Sequence, residues 1–175
     1  MFTQIVLVAL VLIGALLLYA ATRPNSLHVE RSATIAASAE AIAPLINDFH
    51  RWNAWSPYDK RDPAMKRVFA GAATGKGAVY EWNGNNHVGQ GRMEIAESVS
   101  PSKLTIKLDF IKPFEAHNTV DFTLESKGET TSVNWAIHGP SPYISKLIGI
   151  FISMDSMIGK DFEAGLAALK NVAEK

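Results

Sequence analysis

Cysteine is absent from all 175 residues, which excludes disulfides, thiol nucleophiles and cysteine-ligated metal sites. That absence leaves the compartment open, because a disulfide-free domain folds in any of them. Net charge is absent too: 17 Lys and Arg offset 17 Asp and Glu. No field therefore draws in a nucleic acid or a strongly charged substrate, and no nucleic-acid partner is expected. The five histidines, at 28, 50, 87, 117 and 138, show no pair at metal-ligand spacing, so neither a metal nor another cofactor is expected. "GKG" and "VGQGRM" hold close glycines without completing a dinucleotide fingerprint, and read better as a bend or bulge in a sheet. No G-x-S-x-G elbow occurs.

Charge is missing most conspicuously from the N-terminus. Residues 5–21, "IVLVALVLIGALLLYAA", contain no charged or strongly polar side chain; with Phe2 to Gln4 they approach the roughly 20 residues that span a hydrocarbon core. A cleaved signal peptide is the rival reading, since Ala20 and Ala21 are small. The basic n-region of such peptides is missing, however, and the run is long for an h-region. Residues 2–21 are accordingly predicted to form one transmembrane helix, residues 22–26 a linker, and residues 27–175 one domain. The chain is then a single-pass membrane protein, with the membrane as partner through residues 2–21. Arg23 and Arg31 follow the span, which leans toward a cytoplasmic domain, although Glu30 between them weakens the bias.

Beyond the linker, "LHVERSATI" alternates as a first strand, with Leu27, Val29, Ala33 and Ile35 on one face. Ser38 caps a predicted helix through about His50, whose apolar stripe is Ile42, Leu45, Ile46 and Phe49. "FHRWNAWSPYDKRDP" follows, placing Trp52, Trp55 and Tyr58 three residues apart on a short helical turn limited by Pro57 and Pro63. From about Met65 to His138 the period is two, in segments joined by short turns. Tyr80 and Trp82, then Met93 and Ile95, then Leu104 to Phe110, then Asn118 to Leu124, then Val133 to Ile137 make successive one-sided strands. Asn118 is the one polar residue on that apolar face. An antiparallel meander of this kind needs a cover. It is predicted from Ser141 to about Glu174, where Ile144, Leu147, Ile148, Phe151, Met154, Ile158, Phe162, Leu166 and Leu169 keep a helical period. Gly149, Gly159 and Gly165 lower helix propensity there and signal close approach to a neighbour or ligand, with a kink expected near Gly159.

The predicted class is thus α+β: a curved antiparallel sheet wrapped around a long C-terminal helix, with two short helices after the first strand. "VERSATIAASAEAIAPLINDFHRWNAWSPY", "GKGAVYEWNGNNHVGQGRMEI" and the closing "DFEAGLAALK" resemble the START-like helix-grip (SRPBCC) superfamily, in its polyketide cyclase/dehydrase-like branch. The likeness covers about Leu27 to Lys175. It implies a deep apolar cavity between sheet and long helix, and hence a small hydrophobic or lipid-like ligand as partner. On that fold Trp52, Trp55 and Tyr58 would lie at the mouth. Tyr80, Trp82, Met93, Phe110, Asn118, Phe122, Trp135, Phe151, Met154 and Ile158 would surround the ligand.

Core packing is the competing reading for every aromatic in that set, and a backbone bond is the competing role for Asn118. Three functions follow from these residues: a membrane-tethered carrier of an apolar ligand, a cyclase or dehydratase, and a partner-binding module that exposes Trp52 and Trp55. The enzyme reading rests on the resemblance alone, with Tyr80, Arg67, His138 and Asp155 as candidate acid–base groups. Nothing in the sequence fixes an oligomeric state.

Overall fold

A computed structural model describes residues 1–175. Helix α1, Phe2–Thr22, stands almost free of the rest, with only Ala20 buried. At 21 residues it is about 32 Å long, long and apolar enough to cross a membrane. Strand β1 (Ser26–Ile35) leads into α2 (Ala39–Asn47), a 3-10 turn (Phe49–Ala54) and α3 (Pro57–Arg61). Six strands follow: β2 (Lys66–Gly71), β3 (Ala78–Asn83), β4 (Gln90–Val99), β5 (Lys103–Lys112), β6 (Ala116–Lys127) and β7 (Thr130–Pro140). They form one seven-stranded antiparallel sheet in the order β1-β7-β6-β5-β4-β3-β2. Hairpin connections account for all of this order except β1, which reaches β7 across the sheet.

Local chemistry sets the element ends. Ser38 Oγ accepts from the Ala41 N–H and starts α2, while Asp48 Oδ1 accepts from the His50 N–H and starts the 3-10 turn. The register of β4 on β5 shifts at Gln90/Gly91 and again at Ile95/Glu97, and such bulges increase twist and curl a sheet. "VGQGRM" therefore marks a bend, as its glycines suggest. Gly128 takes φ 66° in the two-residue β6–β7 turn, a conformation side chains disfavour.

The C-terminal cover differs from the single helix that the periodicity predicts. It is two helices, α4 (Tyr143–Phe151) and α5 (Met154–Ala173). Ile152 adopts an extended backbone at φ −124°, and Ser153 Oγ then caps α5 by accepting from the Ser156 N–H. The interruption thus lies at a serine cap and not near Gly159, which is buried inside α5 beneath the Arg31 guanidinium. Arg31 binds Asp155 at 3.0 Å and Glu163 at 2.8 Å, so one arginine of β1 ties down two turns of α5.

Only α5 packs on the domain. Phe162, Leu166 and Leu169 join the core with the inward residues of the sheet and α2. Helix α4 packs on α1 instead. Tyr143 Oη donates to the Leu17 carbonyl at 2.8 Å, the Arg23 guanidinium reaches the Gly149 carbonyl, and buried Lys146 donates to Asn25 Oδ1.

Candidate functional site

The space between sheet and α5 is occupied by a column of rings. Phe162 of α5 stacks on Trp135 of β7 at 4.1 Å between centroids, and Trp135 stacks on Phe122 of β6 at 5.0 Å. Trp55 meets Trp135 edge-on at 5.5 Å, Trp52 lies 4.9 Å from Trp55, and Phe49 continues the chain to Tyr80 of β3. Gly165 lets α5 descend onto this column, since a methyl group there would meet the Trp135 ring and Pro57.

Trp52 and Trp55 are 5% and 0% exposed. Their indole N–H groups donate to the Ile46 and Leu45 carbonyls, each at 2.9 Å. The Trp52–Trp55 pair is therefore a staple that closes the free C-terminal carbonyls of α2 and seals the core. Neither tryptophan is available as an exposed anchor, so the partner-binding reading does not stand. Phe151 is 75% exposed on α4, outside the sheet–α5 interior. It leaves the core because the helix breaks immediately after it.

The remaining predicted residues divide between the sealed column and the end of the sheet where α1 joins. Trp82 packs over Gly91, where a side chain would collide with its ring, and donates to the Val88 carbonyl at 3.0 Å. Phe110 meets Trp82 edge-on at 5.9 Å. Asn118 pairs with Leu108 in register and lies against Gly139 of β7, where a methyl group would overlap its amide oxygen. Phe110, Asn118, Met154 and Ile158 are all half-buried, while Met93 and Phe122 are buried within the core. Tyr58 is half-buried beside the Arg61–Asp161 ion pair; burial first, and the Asp161 carboxylate second, push its hydroxyl well above the usual tyrosine range.

Two buried donors have no partner. Trp135 Nε1 and Tyr80 Oη make no hydrogen bond, although each such orphan costs about 1–3 kcal/mol. Trp135 is the only one of the four tryptophans in this position, the other three donating to backbone carbonyls. Burial, then the Asp59 carboxylate, raise Tyr80 to about 12, with Arg67 opposing. Tyr80 therefore keeps its proton at neutral pH, and its hydroxyl can still donate. Asp59 is buried and bound to Arg67 Nε at 2.7 Å, and Arg67 also reaches the Met65 carbonyl at 3.0 Å.

Asp59 is absent from the sequence-derived set. It stands next to Tyr58, yet its pairing with Arg67 depends on a loop that no periodicity marks. Two other acid–base candidates are otherwise engaged: Asp155 pairs with Arg31, which holds its carboxyl below the usual range, and half-buried His138 lies 3.5 Å from Asp121. Two surface concavities lie elsewhere. A shallow groove of about 130 Å³ runs between His50, Phe69 and Val79, and a crevice of about 10 Å³ lies by Asn47 and Ser98; neither touches α5.

A bent antiparallel sheet gripping a C-terminal helix defines a helix-grip domain. The family model for polyketide cyclase / dehydrase and lipid transport matches residues 26–174. The chain belongs to that family, within the START-like (SRPBCC) fold. Solved structures agree in fold. A Chromobacterium violaceum protein superposes with a TM-score of 0.60 at 13% identity, over 87% of this chain and 99% of that one. The ginseng major latex-like protein 151 from Panax ginseng gives 0.59 at 13%, over 87% and 100%. DynU16, a protein of the dynemicin biosynthetic locus, gives 0.60 at 14%, over 87% of this chain and 48% of that one. No curated protein matches the chain.

Proposed function

We propose that this chain is a membrane-anchored binding protein for a small apolar ligand that carries a hydrogen-bond acceptor such as a carbonyl. The carrying observation is the Trp135 N–H, a buried donor without a partner inside an otherwise apolar ring column. Tyr80 offers a second such donor beside the Asp59–Arg67 pair. An acceptor brought to either would complete a bond that the protein itself leaves unmade, and that difference gives selectivity for oxygenated over plain hydrocarbon ligands. The route is the α1 end of the sheet, where Phe110, Asn118, Met154 and Ile158 can change rotamer without unpacking the core beyond. Family membership supports ligand binding in this region, and helix α1 supports the tether, which would hold the domain where apolar ligands dissolve.

A cyclase or dehydratase is the second reading, favoured by the buried Asp59–Arg67–Tyr80 group. In that reading Tyr80 would act as the proton donor, and Asp59 would set its charge environment through Arg67. The test is native mass spectrometry of the full chain extracted in mild detergent, with released small molecules identified. A stoichiometric oxygenated apolar passenger is expected, and its loss on Trp135→Phe with the fold retained would tie it to the orphan donor. Consistently empty protein, in a preparation whose circular dichroism shows it folded, would contradict the carrier reading.

A further inference from the structure

We propose that the outer face of α4 and the tip of the β5–β6 hairpin dock on the surface of the same bilayer that α1 crosses. The domain then lies with the α1 end of its sheet against lipid. The inference rests on the anchor reading above and adds an orientation to it.

Depth is the first argument. Tyr143, at the start of α4, bonds the carbonyl of Leu17, five residues before the end of α1. That places the start of α4 roughly 8 Å below the helix end, within the ~5–10 Å to which interfacial helices sink their apolar faces. Helix α1 is about as long as a hydrocarbon core is thick, so it cannot slide far enough to lift α4 clear.

Composition is the second argument. Ile144 and Phe151, seven residues apart and so on one helical face, are 54% and 75% exposed. The only charged side chain of α4, Lys146, is turned away and held by Asn25. Ile152 prolongs the exposed apolar surface past the helix end.

Position is the third. β1 begins at Ser26 opposite Pro140, His138 faces Thr119, and Ala116 faces Phe110. The β5–β6 tip is therefore at the same end of the sheet as the α1 junction, three strands away, or about 14 Å across. That tip exposes Ile111 and Phe114, at 51% and 65%, with Lys112 and Glu115 beside them in the chain. Two apolar patches on unrelated elements thus share one end of the molecule with α1, which is the placement a bilayer-facing surface requires.

The absence of cysteine makes the test clean, because single-cysteine variants of the full chain carry no background thiol. Phe151→Cys, Phe114→Cys, Leu10→Cys and Lys127→Cys are labelled with a polarity-sensitive fluorophore and reconstituted in vesicles containing spin-labelled phosphatidylcholine. The Leu10 position reports the anchor, and Lys127, at the far end of β6, reports the aqueous side. Quenching of roughly twofold or more at 151 and 114, with none at 127, is expected for labels held at the headgroup–acyl boundary. A quenched label at 10 with water-exposed labels at 151 and 114 would overturn the docking and leave the anchor standing. An unquenched label at 10 would overturn the anchor and the docking with it. A label at 151 or 114 that is dry but unquenched by lipid would report a protein contact instead, and would also overturn the proposal.

Discussion

Trp135 differs from the other tryptophans in one bond. Trp52, Trp55 and Trp82 spend their indole N–H groups on backbone carbonyls, and Trp135 does not. The first two are structural, and Trp55→Ala is expected to cost about 3–5 kcal/mol by opening a cavity in the ring column; urea unfolding of the full chain in detergent measures it. Tyr80 supplies a pH prediction. Its folded value, about 12, lies above the ordinary tyrosine value of about 10, so the folded state holds the proton more tightly than the unfolded one. Stability attributable to Tyr80 is intact below pH ~10 and falls as pH rises toward ~12. A melting-temperature series across that range should decline, and Tyr80→Phe should flatten the decline; an unchanged slope would show that Tyr80 does not titrate there. The aromatic identities were legible in the sequence, but their division into bonded and unbonded N–H groups was not. Which carbonyl each indole reaches depends on where α2 ends, and that is a matter of tertiary packing.

Elements with strong periodicity were legible to within a few residues. The five alternating segments between Tyr80 and Ile137 are strands β3 to β7, and the Ser38 cap starts α2. Strand β2 carries no alternation of its own, because as an edge strand it is exposed along most of its length, and burial is what writes a period-two pattern. The division of the C-terminal cover was hidden for the opposite reason: the apolar period runs unbroken across Ile152 and Ser153. Its apolar residues serve two environments, the core in α5 and an exposed surface in α4. Periodicity cannot separate these. Ser153→Ala removes the cap of α5 and should cost about 1 kcal/mol, a fall of roughly 2–4 °C in melting temperature for a chain of this size. No change in melting temperature would mean that Arg31, through Asp155 and Glu163, fixes the start of α5 unaided.

For the whole molecule, the helix-grip frame assigns opposite tasks to its two ends. Away from α1, the column of Trp52, Trp55, Phe122, Trp135 and Phe162 is sealed. Toward α1, Phe110, Asn118, Met154 and Ile158 are half-buried. The carrier role proposed above would use that asymmetry, with a rigid wall bearing a donor and a yielding side toward α1.

The most direct measurement is the indole ¹⁵N–¹H spectrum of the full chain in micelles, where four tryptophans give four resonances and Trp135→Phe assigns the one of interest. A long-chain aliphatic ketone and a polycyclic aromatic ketone are titrated separately. Binding to the proposed site predicts a saturable downfield proton shift of the Trp135 resonance with at least one of them, while the three backbone-bonded indoles stay in place. A Trp135 resonance indifferent to both ketones, in protein whose other signals show it folded, would contradict the assignment of its free N–H to a ligand.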